Sequence, residues 1–147
     1  MEQLPEEWRR RVHIACLPMD DIEENAAIVN ALQRRSDVIV QKSLAEGFGL
    51  TVAEAMWKEV PTVASAVGGI QDQIEPGVSG LLVDPPDDLE NFGQAVTRLL
   101  ENPDWAQELG HAAHMSVRDR YLAPCFLSRY LALAGRCADQ QVASSRP

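Results

Sequence analysis

A layered α/β domain around a parallel sheet is the fold class this sequence predicts, and two observations carry it. Short apolar runs alternate with longer segments of helical spacing, and the runs lack polar alternation, as strands covered on both faces do. The connections between them are short and punctuated by glycine and proline. At 147 residues the chain has the size of one ordinary domain.

Residues 11–17 (RVHIACL) read as a first strand closed by Pro18, and residues 23–35 as a helix with Ala26, Ala27, Val29 and Leu32 on its spacing. Asp20, Asp21, Glu23 and Glu24 crowd the start of that helix and Arg34 and Arg35 its end, which complements a helix dipole. Residues 37–40 (DVIV) form a second strand. A glycine-punctuated loop leads to a helix over 51–58, which Pro61 cannot continue, and residues 62–67 (TVASAV) make a third strand. After turns at Pro76-Gly77 and Ser79-Gly80, residues 81–83 are a fourth, very short strand. From Asp87 the pattern is helical: Leu89, Phe92, Ala95, Val96, Leu99 and Leu100 recur on one face, and 105–121 and 126–137 continue the spacing. The polar residues 140–147 are expected to be a disordered tail, leaving 1–139 as the domain.

Composition narrows the function classes. Hydrophobic residues make up 46% and charged residues 24%, which excludes a disordered acidic chain. A net charge of -9 repels nucleic-acid backbones and anionic headgroups. No stretch approaches the roughly 20 apolar residues of a membrane span, and a charged start replaces the apolar core of a signal peptide, so the expected compartment is the cytoplasm. Cys16, Cys125 and Cys137 are odd in number and lack C-x-x-C spacing, and read as reduced packing residues.

In parallel α/β sheets, ligands sit at the carboxyl ends of the strands, which directs attention to the stretch EGFGLTVAE, residues 46–54. Gly47 and Gly49 let backbone approach a ligand closely, and a helix opening just after them presents unpaired N–H groups suited to phosphate. Thr51 and Glu54 also match the T-x-x-E capping box, a structural role that is equally compatible with Glu54's position. Glu46, between a strand and a glycine turn, has no helix to cap, and a solvated loop acid is the commonest fate of such a residue.

Together with the Gly68-Gly69 loop after the third strand, this stretch resembles the carboxy-terminal domain of GT-B retaining glycosyltransferases of the family 4 type, with the nearest likeness to the trehalose synthase group. The family's E-x7-E motif is present as Glu46 and Glu54, and the likeness covers roughly residues 11–121. The resemblance implies a partial Rossmann-like sheet flanked by helices that binds a nucleotide-diphosphate glucose for retaining transfer to a sugar acceptor. It implies that Glu46, with the backbone around Phe48 and Gly49, meets the donor sugar, that the amides of Leu50 and Thr51 meet the diphosphate, and that Glu54 meets the ribose. Gly47, Gly68 and Gly69 would shape the glycine loops. No nucleophile is assigned, and no cofactor or metal is expected.

This chain departs from the family in two places. The Arg and Lys that neutralise the diphosphate on an earlier strand-loop unit have no counterpart here, so the chain is expected to be the later part of a donor-binding domain. Its Gly68-Gly69-Ile70-Gln71-Asp72-Gln73 replaces the Pro-Glu found after the glycine pair in many relatives. A non-catalytic nucleotide-sugar binding module, and a half-enzyme that assembles with a separate amino-terminal half, are the rival readings. Self-association through uncovered apolar surface is a further expectation.

Other candidates carry less. His111 and His114 lie three apart on a predicted helix without a third metal ligand, and Asp20-Asp21 lacks the spacing of a D-x-D metal site. Cys16 and His13 fall on a predicted buried strand, facing different ways. Trp57, Trp105 and Phe92 are expected in the core.

Overall fold

A computed structural model describes residues 5–17 and 19–144. The chain divides into two units, Met1–Leu32 and Gln33–Pro147. In the first, α1 (Glu6–Arg9) is a single turn, and α2 (Ile22–Arg35) begins here and ends in the second unit. Asp21 nucleates α2: its Oδ1 accepts from the amides of Glu23 and Glu24, each at 3.0 Å. That is the structural use of the acidic cluster.

Residues 11–17 are not the strand their apolarity suggests. They have no ladder partner among the described residues, and all but Leu17 are exposed. A strand exists through its neighbours' hydrogen bonds, which an apolar run does not supply by itself. Cys16 and His13 are therefore exposed rather than packed.

The second unit is built on three parallel strands in the order β1-β2-β3: β1 (Ile39–Gln41), β2 (Thr62–Ser65) and β3 (Leu81–Val83). Ile39 pairs with Thr62, and Val63 with Leu81. Every residue of the central strand is buried, so adjacent residues feed opposite faces. Ala64 joins Val52 and Met56 of α3 (Leu50–Trp57), Ile70 of α4 (Ile70–Gln73), and Ile74. Val63 and Val83 join Phe92 and Leu99 of α5 (Leu89–Glu101). The long helix α6 (Pro103–Arg120) serves both, giving Ala106 and Leu109 to one cluster and Ala113 and Val117 to the other. The sheet thus has an apolar cluster on each face, as the partial Rossmann-like reading requires.

Two helix starts follow elementary rules. Asp88 caps α5 by accepting from the Asn91 amide at 2.9 Å, and Pro103 occupies the first turn of α6, where no N–H is needed. The final helix, α7 (Ala123–Ser144), runs further than expected: residues 140–144 are helical rather than part of a disordered tail, and 145–147 lie outside the described residues. Phe92 is core and Trp105 packs against it half-buried, but Trp57 lies at the surface, stacked on His114 with ring centroids 4.5 Å apart. Cys125 is half-buried and Cys137 exposed, so the thiols are free but not core residues.

Candidate functional site

The loops after β1 and β2 leave the carboxyl edge of the sheet side by side, and their glycines are what allow it. A Cβ on Gly68 would lie 1.7 Å from the Glu46 carbonyl oxygen, and one on Gly69 would lie 2.5 Å from that of Gly47. Gly68 also has a φ of 48°, in the left-handed region. The Gly69 amide donates to the Gly47 carbonyl at 2.8 Å, locking the loops together. Gly49, with a φ of 86°, is the N-cap of α3 and seats its Cα against Ile70.

This lacing orients two peptide groups, and the start of α3 sets the next two. The Gly47 carbonyl is turned toward Gly69, and the Phe48 carbonyl accepts from the Gln73 side-chain amide. In a planar trans peptide the N–H points opposite to the C=O, so the amides of Phe48 and Gly49 face away from the second loop. Leu50 and Thr51 open α3, where amides have no intrahelical acceptor. Among the described residues, none of these four N–H groups has a hydrogen-bond partner, whereas the Val52 and Ala53 amides both donate to Gly49 O. Four consecutive free amides at a helix start are an arrangement that could hold an anion.

Thr51 is not a cap, and the expected capping box is absent. The left-handed Gly49 ends the loop one residue before Leu50, so α3 starts earlier than its Thr suggests, and no side chain caps it. Thr51 and Glu54 lie within the helix, three residues apart, on the face that also carries Leu50. Glu54 Oε2 accepts from the Gln33 side-chain amide at 3.2 Å. Glu46 is half-exposed, and its Oε1 accepts from the Gly47 amide at 3.0 Å. The two acids therefore flank the free amides along the chain, each with a neutral donor as its partner.

Several supporting residues escaped the sequence reading. Gln73 is 1% exposed and holds the Phe48 carbonyl, while its Oε1 and the Oγ of Ser65, at the carboxyl end of β2, are buried without partners. Its signal was a glutamine interrupting the apolar stripe of Ile70 and Ile74. At the end of α6, Arg120 and the Tyr121 hydroxyl both donate to the Asp72 carbonyl, at 2.8 and 2.7 Å, and the Tyr121 ring meets Phe48 edge-on at 5.8 Å. These contacts brace both loops from behind.

The remaining candidates fall elsewhere. His111 and His114 flank Glu59, at 3.8 and 4.0 Å, and among the described residues no three His, Cys, Asp or Glu side chains are placed to hold a metal. On the exposed surface of α6, the hydrogen bond between Arg118 and Asp119 raises the pKa of the guanidinium and lowers that of the carboxyl. No described helix is long and apolar enough to cross a membrane.

Comparison with known proteins identifies the family and the fold. Residues 22–115 match the family described as glycosyl transferases group 1. The trehalose synthase of Thermococcus litoralis is 49% identical over 109 residues, covering 74% of this chain and 26% of that enzyme. Sucrose synthase of Beta vulgaris is 30% identical over 76% of this chain, which spans 15% of its length. The solved structure of sucrose-phosphate synthase from Thermosynechococcus elongatus superimposes with a TM-score of 0.62 at 34% identity, over 83% of this chain and 29% of that one. The chain thus spans about a quarter of the length of the trehalose synthases it matches. With a GT-B-type α/β fold and this family match, the chain belongs to the group 1 glycosyl transferases and is similar to trehalose synthase.

Proposed function

We propose that this chain forms the donor site of a retaining glycosyltransferase of trehalose synthase type, holding a nucleotide-diphosphate glucose whose glucose passes to a sugar acceptor. The observation that carries the reading is the run of four unpartnered amides, Phe48 to Thr51, between two carboxylates. A diphosphate suits the amides of Leu50 and Thr51. Glu46, with the Phe48 and Gly49 backbone, takes the glucose hydroxyls, since a carboxylate accepts from two neighbouring O–H groups at once. Glu54, one turn into α3, takes the ribose hydroxyls. The 49% identity to a trehalose synthase supports the choice of glucose.

In this reading catalysis is positioning and charge stabilisation. As the bond between the anomeric carbon and the diphosphate breaks, negative charge grows on the leaving oxygen, and the helix-start amides meet it without a resident metal. The acceptor hydroxyl attacks from the face the diphosphate leaves and transfers its proton to that diphosphate, which retains the anomeric configuration. No protein nucleophile is required. The cytoplasm, where nucleotide sugars are available, is the compartment this reading assigns.

Calorimetric titration with uridine, adenosine and guanosine diphosphate glucoses, and with the bare diphosphates, tests the assignment. One base series binds, and Glu46→Gln weakens the sugar nucleotide more than the diphosphate. Equal weakening of both would remove Glu46 from the sugar, and no binding in any series would overturn the donor site.

A further inference from the structure

Glu54 of α3 and Lys58, which caps that helix's carboxyl end, stand four residues apart, acid toward the amino terminus, the spacing and order in which a helical ion pair forms most readily. They are bridged instead by a third residue. Gln33, 8% exposed near the end of α2, donates from Nε2 to Glu54 Oε2 at 3.2 Å and accepts at Oε1 from Lys58 Nζ at 2.5 Å. The chemistry fixes the amide's orientation: an ammonium only donates and an ionised carboxylate only accepts, so the oxygen faces Lys58 and the nitrogen faces Glu54. Both polar atoms of a buried side chain are thereby satisfied by the two partners that would otherwise seek each other.

We infer that Gln33 is a positioning residue for Glu54, holding its carboxylate and standing between it and Lys58, so that it selects a ribose over a 2′-deoxyribose. The inference rests on the ribose role given to Glu54 above. Among the described residues Glu54 Oε1 has no hydrogen-bond partner, and its Oε2 is held by a neutral donor, which leaves the charge of the carboxylate unpaired. An acceptor fixed in this way is ready for hydroxyls. Paired with Lys58, it would be drawn toward the far end of the helix.

The test uses the whole chain and compares dissociation constants for uridine, adenosine and guanosine diphosphates with those for their 2′-deoxy counterparts. Gln33→Met keeps the length and buried volume of the side chain and removes both hydrogen bonds. It should reduce the preference for the ribose form about three- to tenfold, the scale of one hydrogen bond. Gln33→Asn, which keeps an amide but shortens its reach, should act in the same direction and serves if the methionine variant does not fold. The double variant Gln33→Met/Lys58→Met should recover part of the lost preference, because the competing ammonium is gone. A merely structural role for Gln33 would give no such recovery. A wild-type preference that Glu54→Ala abolishes but Gln33→Met and Gln33→Asn leave intact overturns this inference alone, as does a loss without recovery in the double variant. Absence of any wild-type preference overturns the ribose assignment and this inference with it.

Discussion

The two ends of α3 solve the same problem in opposite ways. At its carboxyl end the chain satisfies its own carbonyls: the Val60 amide donates back to Ala55 at 3.1 Å and the Glu59 amide to Met56 at 3.1 Å, the reciprocal pair of a Schellman motif. Glu59 takes the left-handed position of that motif, at a φ of 61°, and His114 Nδ1 lies 2.7 Å from the Trp57 carbonyl. At its amino end nothing comparable happens. Gly49 caps without a side chain, and the amides from Phe48 to Thr51 stay free beside a loop held by glycines. Glycine permits close approach at both ends, since a Cβ on Gly110 would lie 2.1 Å from the Glu59 carbonyl oxygen. Close packing is therefore common to both ends, and unpaired polar groups distinguish the end proposed to hold the ligand.

The largest expected effect comes from breaking the approach itself. Gly68→Ala combines a left-handed φ with a clash against loop backbone and should cost about 3 kcal/mol or more, with nucleotide binding lost. Gly110→Ala meets a similar clash at the closed end and should cost about 1–3 kcal/mol. Its folded fraction should keep wild-type nucleotide affinity. Denaturant unfolding together with calorimetry separates the two, and equal loss of affinity in both variants would erase the distinction between the ends.

How much of this was legible beforehand depends on the range of the interaction. The glycine loop, the buried central strand and the layered order could be read because they rest on local composition and periodicity. The start of α3 could not, because the left-handed Gly49 opens the helix one residue before the Thr that resembles a cap. Residues 11–17 were misread because apolarity says nothing of a partner strand. The roles of Gln33, Gln73 and Tyr121 could not be read because their partners stand 21, 25 and 49 residues away in the chain. Gln73 alone left a trace, as a polar residue on an apolar face.

Smaller effects sharpen the comparison. Glu46→Gln should leave stability within about 0.5 kcal/mol of wild type, because its one bond, to the neighbouring amide, survives in the amide side chain. Glu54→Ala should cost about 1–3 kcal/mol, since it strips the acceptor from the buried Gln33. Similar losses from both, measured by denaturant unfolding, would show Glu46 to be structural. At the closed end, Glu59→Gly should stabilise by about 0.5 kcal/mol. Relief of a left-handed cost of about 1–2 kcal/mol is partly offset by about 0.4–1 kcal/mol of added unfolded-state entropy. A marked loss of stability would instead show that the contacts of Glu59 with His111 and His114 matter more than its backbone.

The central claim is that the free amides at the start of α3 are the phosphate-binding groups, and amide chemical shifts followed during titration with a nucleoside diphosphate test it most directly. Uridine, adenosine and guanosine diphosphates are added in turn to the isotopically labelled chain. The expected result is saturable shifts led by the amides of Phe48, Gly49, Leu50 and Thr51, with those of Lys58, Glu59 and Val60 unmoved. Shifts led by any other part of the chain, or none from all three diphosphates, would contradict it.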